Sequence, residues 1–441
     1  MDQEQFGKVR KEILVQIIFF FGVFRSLMIS GFRVVFCASS WLTALGTCEW
    51  NLGSVFVEMV LLTAAILLLV LELRWDKDWK GYWQSCRNNW LVLGFVALAG
   101  LSMIWSIQYE VTFYKFVVLL ASTMMAIYIG FIFRLEELIK SLSLFYVLIS
   151  VFTFLNVFLN PDNSIMSTQY HFGSWAGIFI HRNFLGCFMA LGISLFMINL
   201  LSQKKWRSKE FVYNLVMLAI TLFLLIKSRS ATGIITALVL AACIVLLYCW
   251  LKWGQKLKTM HYLGFLSAAL VAMIALLINI NFFLGLFGRS ASLTGRVPLW
   301  QYLFEHVISQ RPWLGYGYGA IWHLWDFMFE LAHEVGWSIA VTLGDNGFID
   351  ILIHLGFVGI SFLLLLLIFG FIRGTCYFLK KRTMIAAFPI VVLIFGVVAN
   401  ISLSLILEVE TLVWIIAVSC LASLGNKASI KPPIMSGDQS G

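Results

Sequence analysis

Long apolar runs separated by short polar segments make up most of this chain, and they do not alternate with a period of two. About 20 apolar residues cross a bilayer as a helix, whereas the strands of a membrane barrel alternate between lipid and lumen. The runs at 13–31, 54–72, 91–108, 113–133, 141–159, 184–201, 211–226, 231–251, 263–285, 346–374, 384–402 and 408–424 predict twelve spans. The expected fold class is all-α, a polytopic transmembrane helical bundle forming a single integral membrane domain over 1–441. The segment 33–52 is apolar enough to cross as well. A span there would invert everything after it, so it reads as interfacial or re-entrant. No small-residue cleavage site follows the first run, which is expected to act as an anchor. No internal repeat is visible.

Charge gives the bundle an orientation. Lys and Arg fall in 8–11, 73–87, 204–209, 252–258, 379–382 and 427–431. Twelve spans place all six segments on one side, which the positive-inside rule makes cytoplasmic, including the tail 427–441. This scatter over short loops argues against nucleic acid as the reason for the net charge of +9. At 61% hydrophobic and 12% charged, the chain lies far from a soluble domain, where about a quarter of residues are charged. The eight cysteines show no CxxC or CxxxC spacing. Cys187, Cys243, Cys249 and Cys420 read as small core residues. Cys48 and Cys86 fall on opposite sides and are not expected to pair.

The other side carries one large insertion, 286–345, rich in Gly, Trp, His and charged residues. Within it, residues 298–310 place Leu299, Leu303, His306, Val307 and Gln310 at helical spacing, with Pro298 in the first turn. An amphipathic helix on the membrane surface is the simplest reading.

Arg182, Arg229 and Arg296 lie beside apolar runs on this same side, opposite the basic loops. A cation there is costly and is a candidate functional residue. Three of them suggest an anionic ligand delivered through the bilayer, such as a lipid carrying phosphate or pyrophosphate. Arg182 sits in GIFIHRNFLG (177–186), where His181, Arg182 and Asn183 either start a helix, with Asn183 as its cap, or contact a polar ligand. Arg229 sits in KSRSATG (227–233), whose small residues permit close helix packing and leave backbone donors open to an anion. Snorkelling to headgroups is its alternative role. Arg296 precedes the surface helix and could grip phosphate bidentately.

Two further motifs carry polar residues. RPWLGYGYGAIW (311–322) offers a turn or a close backbone approach, and its aromatics, Tyr316 and Tyr318 among them, either stack on sugars or form an interfacial belt. GDNGFIDILIHLGFVG (344–359) puts Asp345 and Asn346 at the mouth of a span. Asp350 and His354 follow on one helix face, four residues apart. A hydrogen-bonded structural pair is favoured there over a proton relay.

The order of these motifs, together with WSIQYEVTFYK (105–115), resembles the O-antigen ligase and O-antigen polymerase superfamily over about residues 90–370. The resemblance implies a glycosyltransferase without cofactor or metal. Its donor would be a glycan on undecaprenyl pyrophosphate, its acceptor a glycan or lipid A-core, and its active site on the external face of a bacterial inner membrane. A flippase and a chain-length regulator would be its partners. It assigns Arg229 and Arg296 to the pyrophosphate; the residues themselves add Arg182 beside them, and His181, Asn183, Asn346, Tyr316 and Tyr318 as further candidate contacts. The family's ligases carry a His as general base where this chain has Asp345. A carboxylate can also take a proton from a hydroxyl, and His333 is the substitute. Three functions follow in order: a polymerase of lipid-linked repeat units, a ligase using the same donor, and a transporter. A transporter should show charges at the midplane of interrupted helices, whereas these arginines gather at one mouth.

Overall fold

The computed structural model describes residues 79–167, 171–179, 181–203, 205, 207–254, 296–337, 340–405 and 412–425. The expected spans 13–31, 54–72 and 263–285, the segment 33–52, Cys48 and the tail 427–441 lie outside them. The described residues are overwhelmingly helical, with a single isolated antiparallel bridge between Ile165 and Trp175. Among the described residues, six helices are long and apolar enough to cross a membrane, or seven if one bent pair counts as a span. The chain is therefore an all-α, multi-pass membrane protein.

Helix α1 (Trp79–Asn88) runs where a basic loop was expected, and turns by 78° into α2 (Trp90–Leu101). Helices α3 (Tyr109–Ile132) and α4 (Leu135–Leu159) follow. Then come α5 (Arg182–Ser202), α6 (Lys209–Ser228) and α7 (Ala231–Trp253). The insertion contributes α8 (Arg296–Tyr302) and α9 (Trp325–Glu334). The chain then enters the 35-residue α10 (Gly347–Lys381), followed by α11 (Phe388–Asn400) and α12 (Leu412–Ser423). Within the described residues the last two are shorter than a full span, and the sequence predicts spans at both places.

Lipid tails are as apolar as leucine, so close packing and interhelical hydrogen bonds hold such a bundle. Helix α5 is the central one and packs along both α6 and α7. Gly186 sets its approach to α7, because a Cβ there would lie 2.5 Å from the Ser230 Cβ, and one on Gly233 would lie 2.6 Å from the Gly186 carbonyl carbon. Trp414 Nε1 donates to Thr123 Oγ1 at 2.9 Å between α12 and α3. Tyr146 donates to the Phe188 carbonyl at 2.9 Å between α4 and α5. Bonds of this kind average about 0.6 kcal/mol in membranes, so they fix register more than they supply stability.

The bundle has two chemically distinct ends. At one, a cavity of about 360 Å³ is lined by Glu136, Ser202, Lys252, Arg382 and Thr383, where two of the basic segments meet. The starts of α5, α7 and α10 lie at the other.

The insertion has its own core. The helix beginning at Arg296 starts two residues before the expected one, widens to a π turn over Leu303–Val307 and tightens to a 3₁₀ turn over Ile308–Gln310. Leu299, Leu303, Val307 and Ile308 pack against Ile321, Trp322, Leu331, Val341, Ile349 and Ile353. The apolar face thus meets its own insertion and α10, not a membrane surface, while His306 and Gln310 are exposed. Helix α10 breaks its regular backbone at Gly356, where φ is +63° and a Cβ would strike the Trp313 carbonyl group. Tyr316 and Gly317 donate their N–H groups to the Ile353 and His354 carbonyls at 2.9 and 3.0 Å. The glycine-alternating stretch is therefore a backbone strap laid on the kink.

Candidate functional site

The first half of the site is the junction of α5 with the α6–α7 turn. His181, not Asn183, caps α5, with Nδ1 accepting from the Asn183 N–H at 3.2 Å. That leaves Asn183 Oδ1 to accept from Ser230 Oγ at 3.0 Å. Ser230 caps α7 through Gly233 N–H at 3.1 Å. The turn between α6 and α7 is only two residues long, Arg229 and Ser230, because Arg229 adopts a left-handed conformation, φ +48°. Non-glycine residues rarely do so, and such strain persists only where surrounding contacts hold it. Here the Arg229 carbonyl accepts from Arg182 Nη1 at 2.6 Å, and Arg229 Nη1 donates to the Phe172 carbonyl at 3.0 Å. Arg182 is 3% exposed and its Nε has no partner. Arg182 thus holds the turn, while Arg229 remains exposed with donors to spare.

The second half joins the insertion to α10. Arg296 Nε donates to Asp345 Oδ2 at 2.9 Å. Trp300 Nε1 donates to the Gly344 carbonyl at 2.8 Å, tying α8 to the turn that carries Asp345. Asp345 is itself left-handed, φ +49°. Asn346 caps α10 through the N–H groups of Phe348 and Ile349, and its Nδ2 donates to the Ile401 carbonyl at 3.2 Å.

Residues 400–404 bridge the two halves, and the sequence reading missed them. Ser402 Oγ bonds Thr232 Oγ1 at 3.0 Å, and Gly347 N–H donates to the Leu403 carbonyl at 3.1 Å. Thr232 belongs to the Arg229 motif and Gly347 to the Asp345 motif, so both stand at one end of the bundle. The signal in the sequence was the polar run Asn400, Ser402 and Ser404 at the end of an apolar span.

Asp350 and His354 do not pair, contrary to the sequence expectation. Asp350 accepts from Trp322 Nε1 and Gly344 N–H at 3.0 Å each, and from Ser404 Oγ. His354 is turned away toward the Tyr318 ring, edge-on at 5.8 Å, with no hydrogen-bond partner on either nitrogen. Tyr318 is fully buried, and Tyr316 spends its hydroxyl on the Val307 carbonyl at 3.0 Å. His333 is exposed in the last turn of α9, with no side-chain bond to Arg296, Asp345 or Asn346. His323 is half-buried. Burial first, and then the charge of Lys115, push its imidazole down to about 4, against a 3.0 Å bond to the Gly319 carbonyl. Among the described residues no three His, Cys, Asp or Glu side chains gather as a metal-holding set.

The arrangement presents two guanidinium groups and one carboxylate on a common helix-terminal face. Guanidinium groups of this kind bind anions, and a carboxylate can accept a proton. Residues 215–364 match the family model described as O-Antigen ligase. That range contains Arg229, Arg296 and Asp345, while Arg182 precedes it. The chain is also 27% identical over 269 residues to the exopolysaccharide production protein ExoQ of Rhizobium meliloti (strain 1021), covering 56% of this chain. The match spans 58% of that relative's length. Fold, motif order and both likenesses point the same way: the chain is a multi-pass membrane protein that resembles the O-antigen ligases and polymerases.

Proposed function

We propose that the protein polymerises undecaprenyl-pyrophosphate-linked oligosaccharide repeat units on the outer face of the inner membrane. The observation that carries this is the convergence of Arg229 and the Arg296–Asp345 pair at one helix-terminal face, opposite the basic end. In this reading Arg229 and Arg296 bind the donor pyrophosphate, and Arg182 positions Arg229. An acceptor hydroxyl attacks the anomeric carbon and passes its proton to Asp345. The bond from that carbon to the pyrophosphate oxygen breaks, and the lipid pyrophosphate leaves with its added charge held by the arginines. Preorganised cations at the point where charge develops supply the largest share of such catalysis.

The name of the relative, an exopolysaccharide production protein, supports polymer formation. The description of the family model supports the second reading, a ligase using the same donor and passing finished glycan to lipid A-core or another acceptor. A deletion strain complemented with Arg229→Ala, Arg296→Ala or Asp345→Ala, at matched protein levels, separates the two. A polymerase predicts surface glycan collapsed to single repeat units. Long polymer retained on undecaprenyl pyrophosphate would establish the ligase instead.

A further inference from the structure

Three motifs of the sequence meet away from the arginines. Lys115, from the 105–115 motif, lies one and a half turns into α3 and is 8% exposed. The strap 315–319 crosses it so closely that a Cβ on Gly319 would overlap the Lys115 side chain. His354 lies under the same strap at the α10 kink, 1% exposed, with both ring nitrogens unpartnered. His323 stands at the rim of this cluster, half-buried. The Lys115 charge acts on the His323 imidazole. Lys115 forms no ion pair among the described residues, and Asp350, one turn before His354, is committed to Trp322, Gly344 and Ser404.

A lysine only 8% exposed with no ion pair among the described residues is costly to hold, and a buried imidazole without a hydrogen bond adds to that cost. Folds keep such groups where something else completes them. We propose that Lys115, His323 and His354 recognise a carboxylate carried by the glycan, making the substrate an acidic oligosaccharide. The compact ammonium suits a single carboxylate, a neutral His354 can donate one N–H to it, and His323, whose Nδ1–H is held by the Gly319 carbonyl, donates from Nε2 once the carboxylate draws a proton onto its ring. This rests on the glycan-transfer reading above and adds a subsite separate from the pyrophosphate grip.

The test uses the full-length protein in lipid nanodiscs, titrated with trigalacturonate and with its neutral methyl ester. Trigalacturonate should bind about tenfold tighter than the ester, the loss expected when a charged hydrogen bond is removed. Lys115→Met should abolish that difference, Lys115→Arg should retain part of it, and undecaprenyl pyrophosphate should bind Lys115→Met as it binds the wild type. His323→Gln, at the rim, should weaken trigalacturonate binding even if Lys115→Met does not fold. Equal binding of acid and ester overturns the proposal, as does inorganic phosphate competing as well as trigalacturonate. Binding that emerges only in Glu408→Gln/Glu410→Gln would show that the chain's own carboxylates occupy Lys115, and would also overturn it. Unchanged undecaprenyl pyrophosphate binding in Arg229→Ala would instead sink the donor reading and leave the carboxylate result standing.

Discussion

Arg296 and Asp345 are joined at 2.9 Å across 49 residues of sequence, one at the start of the insertion and one at its end. The pair ties the start of α8 to the turn that leads into α10. It also means that the proposed phosphate-binding cation and the proposed base occupy each other before a donor arrives. A pyrophosphate that draws Arg296 away would release the carboxylate beside the acceptor hydroxyl.

That coupling separates two substitutions. Asp345→Asn keeps an oxygen for Arg296 Nε but cannot take a proton. It should lower kcat about 10²- to 10⁴-fold, the usual range for losing a general base, with donor affinity preserved. Asp345→His should retain a measurable rate, because His also tolerates the left-handed backbone. Steady-state kinetics on a lipid-linked oligosaccharide check this, and an Asn variant at the wild-type rate would remove Asp345 from the chemistry.

Arg182 serves Arg229 through that residue's carbonyl. Arg182→Ala removes a charged hydrogen bond, which costs about 1.5–3 kcal/mol, and frees the strained turn. We expect a lower melting temperature together with a raised KM for the donor. Arg182→Lys should recover the stability more fully than the KM, because a lysine cannot reproduce the guanidinium geometry. A KM unaffected by either change would confine Arg182 to a structural part.

Gly186 and Gly233 set how closely α5 and α7 approach. Gly186→Val should destabilise the protein by about 1–3 kcal/mol through overpacking and displace the Arg229 turn. Thermal unfolding and donor binding should fall together. Full binding at normal stability would show that the two helices have slack here.

His323 gives a pH dependence with a defined sign. Its folded value, about 4, lies below the ordinary 6.5, so the unfolded chain holds the proton more tightly. The stability it contributes is complete above pH 6.5 and is lost as pH falls toward 4. His323→Gln should flatten the acid side of the stability profile between those values. An unchanged slope would place the acid sensitivity elsewhere.

Much of this architecture was readable from the chain because membrane helices must satisfy their own backbone. The boundaries of α5, α6 and α7 follow the apolar runs within a few residues, and Arg182, Arg229 and Arg296 are marked by the cost of their position. Contacts set by tertiary geometry were not readable. Asp350 and His354 share a helix face by spacing, yet Trp322 and Ser404 take the acid while the strap and the Gly356 kink enclose the imidazole. Helix α8 has the period of a surface helix, but the insertion brings Ile321 and Leu331 to cover it. The 400–404 bridge carries its information in a few small polar residues whose partners are far away in sequence.

The most direct measurement is release of undecaprenyl pyrophosphate by purified protein in nanodiscs supplied with a lipid-linked repeat unit. The account predicts release coupled to growth of the glycan by the wild type, and loss of both with Arg229→Ala, Arg296→Ala and Asp345→Ala. Release at the wild-type rate by all three folded variants would contradict it.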